Sequence, residues 1–241
     1  MIYTFESWQY TVPMALDDIS AGHRENDPPE TSLESGLIAL VLRKLEEIRS
    51  DPSSYMDEGG AAVVHELPGG LCMKIMHDRH SSKDASLMNL GNTVAQESHF
   101  LRALENFSVS GVRTPRYIAH IESTLPGEPN IIIMEKLDAV NLQHVLNGTA
   151  EVPENFDAKI FFDALDAYIQ ALSEVHHIAH RDLEPRNVMI DRSTGLPYVI
   201  DFGRARSLRG LSVSDRRSLV DGDDLAVEKI YVAWLNASTK K

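Results

Sequence analysis

The chain is best read outward from His180-Arg181-Asp182-Leu183-Glu184-Pro185-Arg186-Asn187. This stretch follows a run with strong helical spacing. From Asp157 onward, Ile160, Phe161, Ala164, Leu165, Tyr168, Ile169, Leu172 and Val175 predict a helix ending near His177. Fourteen residues past Asn187 stands Asp201-Phe202-Gly203, directly after apolar Tyr198-Val199-Ile200. Two short strands are predicted here, 187–190 and 198–200, joined through a Ser193-Thr194-Gly195 turn. An acid at the end of a buried strand, followed by glycine, points into a cleft and can hold a metal. An amide five residues after another acid supplies a second oxygen ligand and leaves that acid free for a substrate hydroxyl. Hard oxygen donors of this kind suit Mg²⁺.

In this order and spacing the two segments resemble the catalytic and metal-binding loops of the eukaryotic-type protein kinase superfamily. The resemblance implies that Asp182 is the catalytic base or hydroxyl-orienting acid and that Asn187 and Asp201 bind Mg²⁺. His180 and Phe202 would be packing residues. It further implies an upstream lysine–glutamate pair that positions the α- and β-phosphates of ATP. Lys74, in Leu71-Cys72-Met73-Lys74-Ile75-Met76, is a lone cation inside an apolar strand. A half-buried lysine needs an anionic partner or loses its charge. Glu97 interrupts the apolar stripe Leu90, Val94, Leu101 and Leu104 and is the matching candidate. The plainer alternatives are a lysine reaching solvent from an edge strand and a glutamate at the stripe's exposed margin.

The phosphate-covering loop expected of a kinase stands as Glu58-Gly59-Gly60-Ala61-Ala62, without the usual glycine-rich pattern. Gly59, Gly60 and Ala61 still let backbone N–H groups approach phosphate, and a plain β-turn reads equally well. This loop resembles those of small atypical kinases such as the RIO family and the kinase of the tRNA-modifying KEOPS complex. By position, the resemblance implies that Met134 stands at the back of an adenine pocket and that backbone groups of Glu135 and Leu137 meet the adenine edge; an ordinary buried strand end fits the same residues.

Three departures from the family matter. Glu184 occupies the place where Ser/Thr kinases usually carry a lysine, and Arg186 is the candidate replacement for that charge near the γ-phosphate. This leaves Ser/Thr versus Tyr preference open. The segment after Gly203 is short and lacks an Ala-Pro-Glu motif; Ser207, Ser212, Ser214 and Ser218 are phosphosites or ordinary polar loop residues. A final helix over about 223–235 resembles the one whose aspartate braces the catalytic loop in the family, which implies Asp224 as the brace. The usual later helices are not expected, a truncation shared with RIO-like kinases and with compact effector kinases that bacteria deliver into host cells.

Further out, Thr31-Ser32-Leu33-Glu34 fits a capping box opening a helix to about Arg49, with Leu37, Ile38, Val41, Leu42, Leu45 and Ile48 on one face. Strands are predicted over 61–67 and 71–77 around a Pro68-Gly69-Gly70 turn, then over 117–122 and 130–135. Ile131-Ile132-Ile133-Met134 is apolar on both faces and predicts a central, buried strand. A helix is expected over 86–106. Residues 1–30 read as an extension, with Tyr3 to Val12 a short strand or packing arm. The expected fold is α+β and bilobal: extension 1–30, a β-rich first lobe 31–136 and a truncated helical second lobe 137–241.

Composition is that of a globular protein, 43% hydrophobic and 24% charged over 241 residues. The net charge of -13 argues against a nucleic-acid partner. The single cysteine, Cys72, fits a reducing compartment, cytoplasmic or a host cytosol. No apolar run approaches the ~20 residues that span a bilayer. The expected activity is transfer of the γ-phosphoryl group of Mg-ATP to a protein hydroxyl. A small-molecule phosphotransferase of the aminoglycoside-kinase type and a non-catalytic kinase-like binding module are the alternatives.

Overall fold

A computed structural model of the protein describes residues 8–11, 31–51, 56–58, 62–76, 94–123 and 129–239. They fall into two compact units. One holds the described residues before 77 and those from 117 to 136. The other holds those from 94 to 116 and from 137 onward.

The first unit is a six-stranded antiparallel sheet with one helix. Its strands are β1 (Trp8–Thr11), β2 (Asp57–Glu58), β3 (Ala62–Leu67), β4 (Leu71–Met76), β5 (Tyr117–Ser123) and β6 (Asn130–Glu135), in the order β1-β5-β6-β4-β3-β2. The β3–β4 connection has the expected Pro68-Gly69-Gly70 sequence, and both glycines adopt positive φ, 78° and 73°, which a side chain would oppose. β6 is central, and Ile131, Ile132 and Ile133 are fully buried, as their uninterrupted apolar run predicts. Helix α1 (Thr31–Ser50) lays Val41 and Leu45 against Leu67, Met73, Ile118, Ile131 and Ile133, with Leu37, Leu40 and Ile48 half-buried beside them. Strand side chains alternate between faces. Met73 therefore faces α1, and Lys74 lies on the opposite face of β4, itself 6% exposed. The side chains of the expected capping box, and most of residues 1–30, lie outside the described residues. Within the predicted Tyr3–Val12 arm, β1 is a strand paired with β5.

The second unit is mainly helical. Its elements are α2 (Val94–Ala103), β7 (Ala139–Asn141), α3 (Leu142–Leu146), α4 (Ala158–Val175), β8 (Ile178–Ala179), β9 (Val188–Asp191), β10 (Pro197–Val199), β11 (Arg206–Ser207) and α5 (Val213–Ser238). α4 starts where its sequence says: the Asp157 carboxylate accepts the Ile160 N–H at 3.0 Å. Phe161, Leu165, Tyr168, Ile169 and Leu172 are buried along it. Ile160 and Val175, read as part of the same stripe, are 58% and 62% exposed. They stand at the helix ends, where the neighbouring elements no longer cover that face. α5 begins at Val213, well before the predicted 223, because Ser212 caps it by accepting the Asp215 N–H at 3.1 Å. Ser214 and Ser218 are therefore helical. α2 packs against the turn Phe202–Arg204, which groups it with the second unit rather than with the sheet.

Candidate active site

Two small ladders carry the candidate site. β8 pairs with β11, and β9 pairs with β10 and β7, all antiparallel. The loop 180–187 leaves β8 and enters β9, while residues 200–205 leave β10 and enter β11. Pairing at both ends holds these two segments side by side. The Ile200 N–H extends the contact by donating to the Asn187 carbonyl at 3.0 Å.

His180 is fully buried between them. Its Nε2 lies 3.0 Å from the Ile200 carbonyl, which can only accept, so Nε2 carries the hydrogen. Nδ1 then accepts the Asp182 N–H at 3.3 Å. Phe202, also fully buried, meets the imidazole edge to face at 4.8 Å between centroids. Both residues are packing residues, as expected.

The Asp182 side chain is 10% exposed and surrounded by donors. Arg204 Nη1 donates to Oδ1 at 3.0 Å. Arg186 Nη2 reaches Oδ2 at 3.3 Å and Oδ1 at 3.5 Å, while its Nη1 is held closely by Glu184. The Asn187 amide nitrogen donates to the Asp182 carbonyl at 2.7 Å and to Oδ2 at 3.3 Å. That fixes the amide orientation and leaves Oδ1 of Asn187 as the atom available to a hard cation. Asp201 adopts left-handed backbone, φ 63°, and accepts the Gly203 N–H through Oδ1 at 3.3 Å. Arg181 is also left-handed, φ 66°. Non-glycine residues in this region cost about 1 kcal/mol or more and persist where surroundings enforce them.

For Arg181 the enforcing group, and the brace of its loop, is Asp223, not Asp224. Asp223 is buried, and its Oδ2 and Oδ1 accept the backbone N–H groups of His180 at 2.6 Å and Arg181 at 2.8 Å. Asp224 has an Oδ1 that is buried without a hydrogen-bond partner among the described residues. The two differ by a third of a helical turn, and only Asp223 shares the inward face with Val227 and Ile230. Asp224 also stands at helical spacing from Val227, three residues on, so the spacing alone does not choose between the two acids. Asn141 was missed as well. Its Nδ2 donates to the Arg186 carbonyl at 2.8 Å while its Oδ1 caps α3. Arg204 carried no sequence signal, since nothing in Gly203-Arg204-Ala205 shows that its side chain turns back.

The remaining expected residues are distributed over both units. Glu97 lies on α2, 1% exposed, in line with buried Val94, Leu101 and Leu104. The reading in which it faces solvent is therefore excluded. Lys74 is buried on β4, which excludes the exposed edge-strand reading; β4 lies between β3 and β6. Met134 and Glu135 end β6, and Leu137 follows; the Glu135 carbonyl accepts from Cys72 Sγ at 3.6 Å. Gly59, Gly60 and Ala61 lie outside the described residues.

A family model for the protein kinase domain matches residues 65–221, more than half of the sequence. The chain belongs to the protein kinase family. Among its curated relatives, serine/threonine-protein kinase PknB of Mycolicibacterium smegmatis is 27% identical over 170 residues, covering 67% of this chain and 25% of that protein. Mitogen-activated protein kinase kinase 1c of Physcomitrium patens is 27% identical over 198 residues, 78% of this chain and 52% of that protein. Serine/threonine-protein kinase ATG1a of Arabidopsis thaliana is 33% identical over 109 residues, 44% of this chain and 17% of that protein. The chain thus spans between 17% and 52% of the length of these kinases. The small-molecule and non-catalytic readings are not favoured by these relatives. A kinase domain implies ATP as a ligand. Among the described residues, no helix is long and apolar enough to cross a membrane.

Proposed function

We propose that the protein transfers the γ-phosphoryl group of ATP to a Ser or Thr hydroxyl, or a Tyr hydroxyl, of a protein substrate. The observation that carries this reading is the grouping of Asp182, Asn187 and Asp201 on two segments joined through His180 and Phe202, the first of them braced by Asp223. Asp182 orients the acceptor hydroxyl and takes up its proton. Asn187 and Asp201 present oxygen donors of the type Mg²⁺ prefers, so they would hold it; the bound ion would neutralise phosphate charge. Lys74 is assigned to the α- and β-phosphates, with Glu97 as its counter-charge. Gly59, Gly60 and Ala61 are assigned to the phosphate-covering loop, and Met134, Glu135 and Leu137 to the adenine. Most of the rate enhancement then comes from positioning and electrostatic stabilisation.

The segment between Gly203 and α5 is only residues 204–212, which supports a compact, RIO-like or effector-like member. A reducing cytoplasm, the cell's own or a host's, suits the lone buried Cys72.

The test is transfer from labelled Mg-ATP to generic protein substrates. Asp182→Ala and Asp201→Ala are expected to lose about a hundredfold or more of the wild-type rate. Equal labelling by all three proteins would sink the proposal.

A further inference from the structure

The catalytic loop lacks a lysine beside its acid and carries Glu184 in that place. Arg186 is close to Asp182 but divided: one nitrogen is taken by Glu184, the other lies 3.3 Å from Asp182, and its side chain is 51% exposed. Arg204 is nearer, at 3.0 Å, and less exposed, at 38%.

We propose that Arg204 is the principal positioning residue of the phosphotransfer reaction on the acceptor side, holding the Asp182 carboxylate in the plane that receives the hydroxyl. This rests on the phosphotransferase reading above. The geometry is complementary. Arg204 holds Oδ1, and the Asn187 amide holds Oδ2 at 3.3 Å. A carboxylate gripped through one oxygen still rotates about its final torsion, which is broad and roughly two-fold. Gripped through both, it keeps one plane.

Arg204 is itself placed from several directions. Its carbonyl accepts from Arg181 Nη1 at 3.4 Å. The next carbonyl, of Ala205, accepts from Gln96 Nε2 on α2 at 2.8 Å, and the Ala205 N–H closes the turn onto Phe202 at 3.0 Å. The guanidinium therefore projects from a fixed backbone. An ion pair with one partly exposed member adds little to stability, so its loss should show in catalysis and barely in folding.

The experiment is steady-state phosphotransfer with Arg204→Gln, Arg204→Lys and Arg186→Gln, alongside wild type and Asp182→Ala. Arg204→Gln is expected to lower kcat about tenfold or more, with KM for ATP within about twofold and Tm within a few degrees. Arg204→Lys should recover part of the loss, and Arg186→Gln should lose less than Arg204→Gln. Unchanged kcat in Arg204→Gln overturns the assignment, as does a parallel fall of kcat, ATP binding and Tm, or a larger loss in Arg186→Gln. Absence of Asp182-dependent transfer in wild type instead removes the phosphotransferase reading and this role with it.

Discussion

The two oxygens of Asp223 each accept one backbone N–H, from His180 and from Arg181, in a buried setting. Asp223→Asn offers only one acceptor, and its amide nitrogen opposes the second N–H. Leaving a buried donor unsatisfied costs about 1–3 kcal/mol. The variant is expected to lose that much in urea denaturation and to lose activity with it, because the left-handed Arg181 backbone relaxes. A loss below about 0.5 kcal/mol would argue against the bracing role. Asp224 behaves in the opposite sense. Burial pushes its carboxyl up, and the neighbouring Asp166, Asp223, Asp221 and Glu228 add to this. Between the ordinary carboxylate range and that raised value, the folded protein keeps a proton that the unfolded chain has given up. Stability therefore falls as pH climbs through that window. Asp224→Asn is expected to be more stable than wild type at about pH 7 and to show a flatter pH dependence; melting curves from about pH 4 upward check both.

At the scale of elements, the β9–β10 hairpin sets Asn187 against Ile200, the residue before Asp201, and its turn is tightly specified. Asp191 Oδ1 accepts from the Ser193 N–H at 2.7 Å, the Ser193 hydroxyl at 2.6 Å and the Thr194 N–H at 2.8 Å, and Oδ2 accepts from the Tyr198 hydroxyl at 2.6 Å. Burial alone would raise this carboxyl, yet the hydrogen bonds from Ser193, Tyr198 and Thr194 hold it down at about 2. Its contribution is present above the ordinary carboxylate range and is lost as pH falls toward 2. Asp191→Ala is expected to cost about 1–3 kcal/mol at neutral pH and to remove that acid-side slope. Gly195 has φ 72°, and a Cβ there would stand 2.7 Å from the Asn155 carbonyl oxygen. Gly210 has φ 74° with open space around it. Gly210→Ala should thus show only the backbone penalty of about 1 kcal/mol, and Gly195→Ala a larger one. Equal losses would mean that the Asn155 segment yields freely. The same scale explains the early start of α5. Its residues 213–222 are mostly exposed and polar, so no periodicity announces a helix, and the Ser212 cap is the only local signal.

For the molecule as a whole, the proposed phosphotransfer from ATP predicts that Mg-ATP stabilises the folded chain. At a hundred times Kd the gain is about 2.7 kcal/mol, read as a rise in Tm. Lys74→Met and Asp201→Ala should each abolish most of that shift, and a full shift in both would contradict their assignment. The sequence by itself determined the α+β class and the central position of β6, and it singled out Asp182, Asn187 and Asp201 on the two segments that the fold sets side by side. These rest on local patterns: an unbroken apolar run buries both faces of a strand, and polar groups at short spacing on one loop stay together however the rest folds. It also marked Lys74 and Glu97 as charges within apolar periods, and both are buried. The tertiary structure alone decided which of two adjacent aspartates braces the loop, because neighbours on a helix point about 100° apart and only the packed partner selects between them. It alone brought Arg204 to Asp182. Side chains 22 residues apart meet there because β8 pairs with β11, and that long-range pairing has no signature in the four residues of strand involved.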